Sequence, residues 1–235
     1  MPQAKPDFQT VYPERAEGRH VPLEFTRLSE GEMLERAEAF YRDLSRRRSV
    51  RQFSSEPVPR RLIELAILAA GTAPSGAHHQ PWQYVAVSSP DLKARIRAAA
   101  EAEEYATYTR RMAEEWKDAL APIGTTWVKE HLTDAPWLVV IFKQNYQVLP
   151  GGSHKKNYYV QESVGISAGM FIAALHRMGL TTLTHTPTPM GFLRELLGRG
   201  ENETAMLLLP VGYPAQGATV PDFRRKGLEE ISSWL

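Results

Sequence analysis

The sequence predicts an α/β layered domain, and three observations point that way. Stretches with helical spacing interleave with stretches that read as strands. The run "APWLVVIF" at 135–142 is apolar without interruption, as in a central strand covered on both faces. Gly/Pro breaks, such as "GTAPSG" at 71–76 and Pro90, punctuate the switches between the two patterns.

Taken in order, residues 1–30 are polar and punctuated by proline ("YPERAEG", "VPLEF"), and are expected to form an extended arm lying on another surface. Residues 31–235 make the domain proper. Ser29 can cap a helix in which Met33, Leu34, Ala37, Phe40, Tyr41 and Leu44 keep a helical spacing. "RRRSVRQF" at 46–53 follows that helix directly. A second helix spans 58–76, with Pro59 in its first turn, Leu62, Leu65, Ala66 and Ala69 on its inner face, and the Gly/Pro cluster at its end. "PWQYVAV" at 81–87 reads as a strand broken by Pro90, and 91–118 as a charge-rich helix. "TTWVKEHL" at 125–132 is expected to be the next helix, ahead of the buried strand at 135–142. "QNYQVLPGGSHKKN" reads as a loop before a small-residue helix at 158–178. "LTTLTHTP" and "TAMLLLPVGYP" are two further strands, separated by a short helix around 191–198.

Composition narrows the function. A net charge of +1 over 235 residues argues against a nucleic-acid groove. No apolar run approaches the roughly 18 residues of a membrane span; the longest, "VGISAGMFIAAL" at 164–175, reads as a buried helix. The first 20 residues lack the apolar stretch of a secretory leader, so the expected location is the cytoplasm. There is no cysteine, which excludes thiol nucleophiles, disulfides, thiolate metal sites and cysteine redox chemistry. If this protein moves electrons, a cofactor must carry them. His78 and His79 are adjacent and have no carboxylate at i+3 or i+4, so no metal site is expected.

Three stretches could carry chemistry. The arginines of 46–51, taken alone, suit a solvated helix end first; the other reading is a phosphate, whose oxygens match the planar guanidinium fork two at a time. Ser49 would add a neutral donor there, and "FRRK" at 223–226 offers a second basic cluster that could converge on the same anion. "TAPSGAHHQPW" at 72–82 makes a tight turn in which Gly76 and Ala77 are small enough for a flat ring to approach the backbone. Glu104 and Tyr108, at i and i+4, share a helix face, and with Lys129 they supply an anion, a phenol and a cation. That set complements an α-amino acid zwitterion; it is also what a surface salt-bridge helix would show.

"RRSVRQF", "APSGAHHQPW", "LLPVGYP" and "VPDFRRK", in that order, resemble the flavin-dependent nitroreductase superfamily. Within it, "GTAPSGAH", "YTRRM", "TTWVKEHLTDAPWLVVIFKQ" and "LPVGYPAQGATVPDFRRK" are similar to the iodotyrosine deiodinase family, and the likeness runs from about residue 22 to 231. The resemblance implies a nitroreductase-like mixed sheet flanked by helices, in an intertwined homodimer with FMN bound non-covalently at the interface. It assigns the phosphate and ribityl contacts to Arg47, Arg48, Ser49, Val50, Arg51 and the late Arg225, with Ser75 near the flavin. It places Thr184, His185 and Thr186 beside the flavin, Thr186 donating to N5; His185 departs from the family's all-threonine pattern. A hydroxyl at N5 would bias the flavin toward single-electron steps. It further implies that the Ala77 N–H faces the substrate phenolate, and that Glu104 takes the substrate ammonium while Tyr108 and Lys129 take its carboxylate, on a lid at about 100–130 that orders over the substrate.

The implied activity is reductive dehalogenation of mono- and dihalotyrosines to tyrosine and halide, with electrons from an external reductant such as NAD(P)H acting through a reductase. A general FMN-dependent nitroreductase or quinone reductase would need the flavin site without the zwitterion clamp. A non-catalytic flavin or amino-acid binding module would bind ligand and release no halide.

Overall fold

The computed structural model describes residues 18–235. The arm expected at 1–30 therefore lies mostly outside the described residues; 18–29 form neither helix nor strand. The chain divides into two compact units, one ending at Phe40 and one running from Tyr41.

The first unit contains most of helix α1 (Glu30–Ser45), whose start follows from a reciprocal cap. The Glu32 carboxylate accepts from the Ser29 N–H at 3.0 Å and from its hydroxyl at 2.7 Å, while the Glu32 N–H donates to Ser29 Oγ at 3.4 Å. No residue of α1 is buried.

The second unit is built on a four-stranded sheet ordered β1-β2-β6-β5, from β1 (Trp82–Val87), β2 (Trp137–Gln144), β5 (Thr181–Thr182) and β6 (Glu203–Gly212). All three strand pairings are antiparallel, and an isolated parallel bridge joins Ser49 to Thr182 beside β5. The uninterrupted apolar run is explained by β2, whose alternate side chains enter two cores. Val139 and Ile141 pack with helices α2 (Arg60–Gly71) and α6 (Val160–Arg177). Leu138, Val140 and Phe142 pack on the other face with α3 (Pro90–Ala106), α5 (His131–Asp134) and α7 (Gly191–Leu196). The expected layers are present, with one helical layer on each face of the sheet.

Several local expectations need correction. Pro59 precedes α2, and the buried face is Ile63, Ala66 and Ala70, with Leu65 exposed. The spacing i, i+3, i+7 turns Ile63 and Ala70 toward β2. Pro90 opens α3 at its first position, after the Ser89 hydroxyl accepts from the Leu92 N–H at 3.4 Å. The helix expected over 91–118 is interrupted. A π-helical turn, Thr107–Arg111, follows α3, Met112 is extended, and α4 (Glu114–Leu120) starts afresh. "TTWVKEHL" is irregular up to α5, because Gly124 takes φ 67° and the Lys129 ammonium folds back onto Thr125 Oγ1 (3.3 Å) and the Thr126 carbonyl (2.5 Å). The predicted loop at 144–157 contains a hairpin, β3 (Tyr146–Val148) with β4 (His154–Lys156), turned by Gly151 and Gly152 at φ 92° and 82°. A final helix, α8 (Leu228–Ile231), lies near the C-terminus.

Candidate functional site

The arginine segment leaves α1 and is fixed at the sheet edge, where the Val50 N–H donates to the Thr182 carbonyl at 3.2 Å. The Val50 side chain is buried with Phe53 and Ala135, so this residue holds the segment down while its neighbours face outward. Residues 220–225 fold back over it. Arg48 donates to the Pro221 carbonyl, and the Arg225 guanidinium donates to the carbonyls of Ser45 and Arg47. The two basic clusters thus line one cleft of about 570 Å³, with Ser49 and Arg51. Burial, then the charges of Arg225 and Arg48, hold the Arg47 pKa below its ordinary value, and burial does the same for Arg51. Among the described residues no carboxylate pairs with Arg47 or Arg51, whereas Arg224 is neutralised by Glu230 at 2.6 Å. Crowded, partly buried guanidinium groups without counter-charges fit a polyoxygen anion such as a phosphate monoester.

The Ser75–Gln80 turn is backbone-strained. Ala77, His78 and Gln80 have φ of 48°, 54° and 48°, a region where a side chain costs about 1–2 kcal/mol per residue. Ser75 Oγ accepts from the Gln80 N–H at 2.9 Å, and the Gly76 N–H donates to Ser163 Oγ at 3.3 Å. Glycine is required at 76, because a Cβ there would lie 2.8 Å from the Tyr158 carbonyl oxygen and from the Tyr159 ring. The His78 and His79 amides return to Ser75 and Gly76 at 3.0 and 3.1 Å. Among the described residues, the amide of exposed Ala77, like that of Ser75, has no hydrogen-bond partner.

Beyond β5 the chain stays extended. Thr184 and Thr186 are exposed and His185 between them is buried, the period-two alternation of a strand. Thr184 lines a cleft of about 340 Å³ with Leu44, Arg47 and Ser49. His185 turns the other way, and its N–H and C=O are both used by Leu208, at 3.0 and 2.9 Å. The triplet therefore presents two hydroxyls on one face and an imidazole on the other. The His185 side chain is directed to Glu104.

There, three polar side chains converge. Glu104 Oε2 lies 3.3 Å from Lys129 Nζ, and Glu104 Oε1 lies 3.0 Å from His185 Nε2. Lys129 Nζ also sits 5.7 Å from the centroid of the Tyr108 ring, and the Tyr108 hydroxyl donates to the Thr125 carbonyl at 3.3 Å. This is not a surface salt-bridge helix, since the Lys129 and Glu104 side chains are only 4% and 14% exposed. Burial opposes ionisation of Glu104, but the His185 hydrogen bond and the Lys129 charge outweigh it and hold its pKa below the usual value. Burial lowers the Lys129 pKa, with Glu104 partly restoring it; burial and the Glu104 charge raise that of Tyr108. Burial likewise depresses His185, leaving a neutral imidazole.

Sequence reasoning missed His131, whose ring lies 5.4 Å from that of His185, edge to face. Burial above all pushes its pKa down to about 3. It also missed Glu101, whose carboxylate accepts from the Lys129 N–H at 2.8 Å and pairs with Arg97 at 2.7 Å. Glu101 stands four residues after Arg97, a spacing visible in the sequence, but its bond to Lys129 joins α3 to the loop before α5. The His131 contact joins α5 to the stretch after β5, which no spacing rule marks. Trp116 and Trp127, in the stretch between α3 and α5, are 51% and 41% exposed. The Arg segment, Thr184 and Arg225 thus come together, as do Glu104, Tyr108 and Lys129. The Ser75–Ala77 turn shares no hydrogen bond or ion pair with either group among the described residues. Nor, among them, do three or more His, Asp or Glu side chains cluster as metal ligands.

A model of the nitroreductase family matches residues 44–213. The iodotyrosine deiodinase of Haliscomenobacter hydrossis is 52% identical over 206 residues, 88% of this chain and 93% of that protein. That of Danio rerio is 50% identical over 213 residues, 90% of this chain and 72% of that protein. Among solved structures, oxidized iodotyrosine deiodinase bound to FMN and 3-iodo-L-tyrosine aligns with a TM-score of 0.72 at 27% identity, covering 83% of this chain and 100% of that one. A BluB-like flavoprotein from Clostridium difficile is similar in fold, with a TM-score of 0.59 at 21% identity over 83% of this chain and 97% of that one.

Proposed function

This chain belongs to the nitroreductase family and, within it, to the iodotyrosine deiodinases, and on that premise we propose that it binds FMN and removes halide reductively from halotyrosines such as 3-iodotyrosine. The reaction consumes a halotyrosine, two electrons and a proton, and yields tyrosine and halide. Bound FMN carries the two electrons, which an external reductant, NAD(P)H through a separate reductase or another donor, replenishes.

The observation that carries this reading is the buried group on the lid. An anion, a cation and a phenol lie side by side where a helix end meets a loop, the two charged groups shielded from water and the phenol partly so. Glu104 takes the substrate ammonium, and Lys129 with Tyr108 takes its carboxylate. Each pairing replaces the internal Glu104–Lys129 contact with an equivalent one, so no buried charge is left alone. The Ala77 N–H donates to the phenolate oxygen, favouring the anionic ring that must accept a proton at carbon before halide leaves. Arg47, Arg48, Arg51 and Arg225 would hold the cofactor phosphate, with Ser49 and Thr184 as neutral donors lining the same clefts. Ser75 and Thr186 would add hydroxyl donors toward the flavin.

Among the described residues the Ala77 turn shares no hydrogen bond or ion pair with Glu104, Tyr108 or Lys129, and a homodimer that brings one protomer's turn to its partner's lid would complete the site. Among the described residues no helix is long and apolar enough to cross a membrane. A general nitroreductase would not need the paired ammonium and carboxylate partners, and that difference supplies the test. Glu104→Gln and Lys129→Gln should each weaken kcat/KM for 3-iodotyrosine by about a hundredfold, as loss of a buried charge-assisted contact does. Nitroarene reduction, which has no zwitterion to hold, should change by less than about threefold. Equal losses on both substrates would favour the general reductase.

A further inference from the structure

The lid carboxylate has two partners, one on each oxygen, and only one of them can be exchanged for substrate. Lys129 reaches Glu104 Oε2 from the loop before α5 and is itself a proposed ligand of the incoming carboxylate. His185 reaches Oε1 from a strand that cannot move freely, since both of its backbone groups are tied to Leu208 in β6. Resting on the function just proposed, we propose that His185 is a positioning residue for ammonium recognition: it holds the Glu104 carboxylate in place while that carboxylate exchanges Lys129 for the substrate.

The donor and acceptor roles follow from chemistry. A carboxylate only accepts, so the imidazole proton must sit on Nε2, and Nδ1 is then an acceptor. Nδ1 is buried and has no partner among the described residues, so the bond to Glu104 is the single polar contact that fixes the ring. His185 is 7% exposed and faces His131 edge-on, which restricts its rotation. Two weaker ties join the lid to the same stretch, Thr107 Oγ1 at 3.4 Å and Arg111 Nη1 at 3.3 Å from the Thr188 carbonyl, but both donors are exposed. The buried link is His185. Because Thr184 and Thr186 project from the opposite face of the same strand, the residue that sets the lid carboxylate also has neighbours at the cofactor. A threonine at 185, as the resemblance would have it, ends too near the backbone to span that gap.

Glutamine and asparagine separate this role from bulk. The glutamine side chain can present an N–H near the place of Nε2, and asparagine only near the place of Nδ1. His185→Gln and His185→Asn are prepared as FMN-loaded proteins, and quenching of flavin emission is titrated with 3-iodotyrosine and with its desamino analogue, 3-(4-hydroxy-3-iodophenyl)propanoate. His185→Asn should weaken 3-iodotyrosine binding by about tenfold or more, within the range for a hydrogen bond to a charged group. The analogue, which lacks the ammonium, should lose less than about threefold, and His185→Gln should recover most of the iodotyrosine affinity. Unchanged affinity in His185→Asn, or equal losses for both ligands, would overturn the proposal while leaving the dehalogenase reading in place. A wild-type protein that binds no halotyrosine would overturn both.

Discussion

Buried ionisable side chains meet around Glu104 and Lys129, and their protonation can be followed by pH. The fold keeps His131 neutral, with a pKa of about 3 against an ordinary value near 6.5. The unfolded chain therefore binds the proton first. Stability is complete above about pH 6.5 and falls as pH drops toward 3, by about 1.4 kcal/mol for each pH unit from this residue. His185 shifts in the same direction, while Glu104, held below its usual pKa, adds its own loss only at lower pH. Urea unfolding between pH 6.5 and 4.5 should show the slope, and His131→Gln should reduce it by about 1.4 kcal/mol per pH unit. An unchanged slope in the variant would assign the acid sensitivity elsewhere. Legibility at this scale followed charge. Arg47 through Arg51 with Arg225, and Glu104 with Lys129, could be singled out because clustered or complementary charges are visible in a string of letters. His185 was named for its position in a triplet, but its direction was not legible, since a two-residue strand leaves too little alternation to say which face it takes. His131 carried no signal at all, because its partners come from other elements.

Among the elements, β2 and α6 were legible throughout, for the same reason that they dominate stability: long apolar patterns have few other ways to be buried. Phe171 on α6 is fully buried and lies 5.4 Å from the Tyr84 ring, between helix and sheet. Phe171→Ala should cost about 3–5 kcal/mol in chemical denaturation, the range for emptying a core aromatic site. A loss below about 1 kcal/mol would mean that the α2–α6 layer repacks readily. The lid was less legible. Stretch 91–118 keeps charge and helix propensity throughout, so nothing local announces the π-helical turn at Thr107–Arg111. That turn is held from outside, by Thr107 and Arg111 on the Thr188 carbonyl, a contact across 81 and 77 residues of sequence. The 144–157 hairpin was missed because its strands are short and polar, with only the two glycines to mark the reversal.

For the whole molecule, the layered fold was legible from the interleaved patterns, whereas the antiparallel pairing of all named strands in the main sheet was not, since pattern does not set strand order. The proposed division of the site between chains makes a prediction about assembly. Light scattering on the purified protein should give about twice the chain mass of 26.5 kDa, and iodotyrosine turnover should fall on dilution below the dissociation range. A monomer with full activity would require the Ala77 turn and the lid to meet within one chain. The most direct test of the activity itself is a dithionite-driven reaction of the FMN-loaded protein with 3-iodotyrosine, following iodide and tyrosine together, beside 4-iodophenol. One iodide per tyrosine, released at least about a hundredfold faster from the amino acid than from the phenol, is the expected result, because only the amino acid engages Glu104, Tyr108 and Lys129. A flavin that reduces fully and leaves 3-iodotyrosine untouched would contradict it.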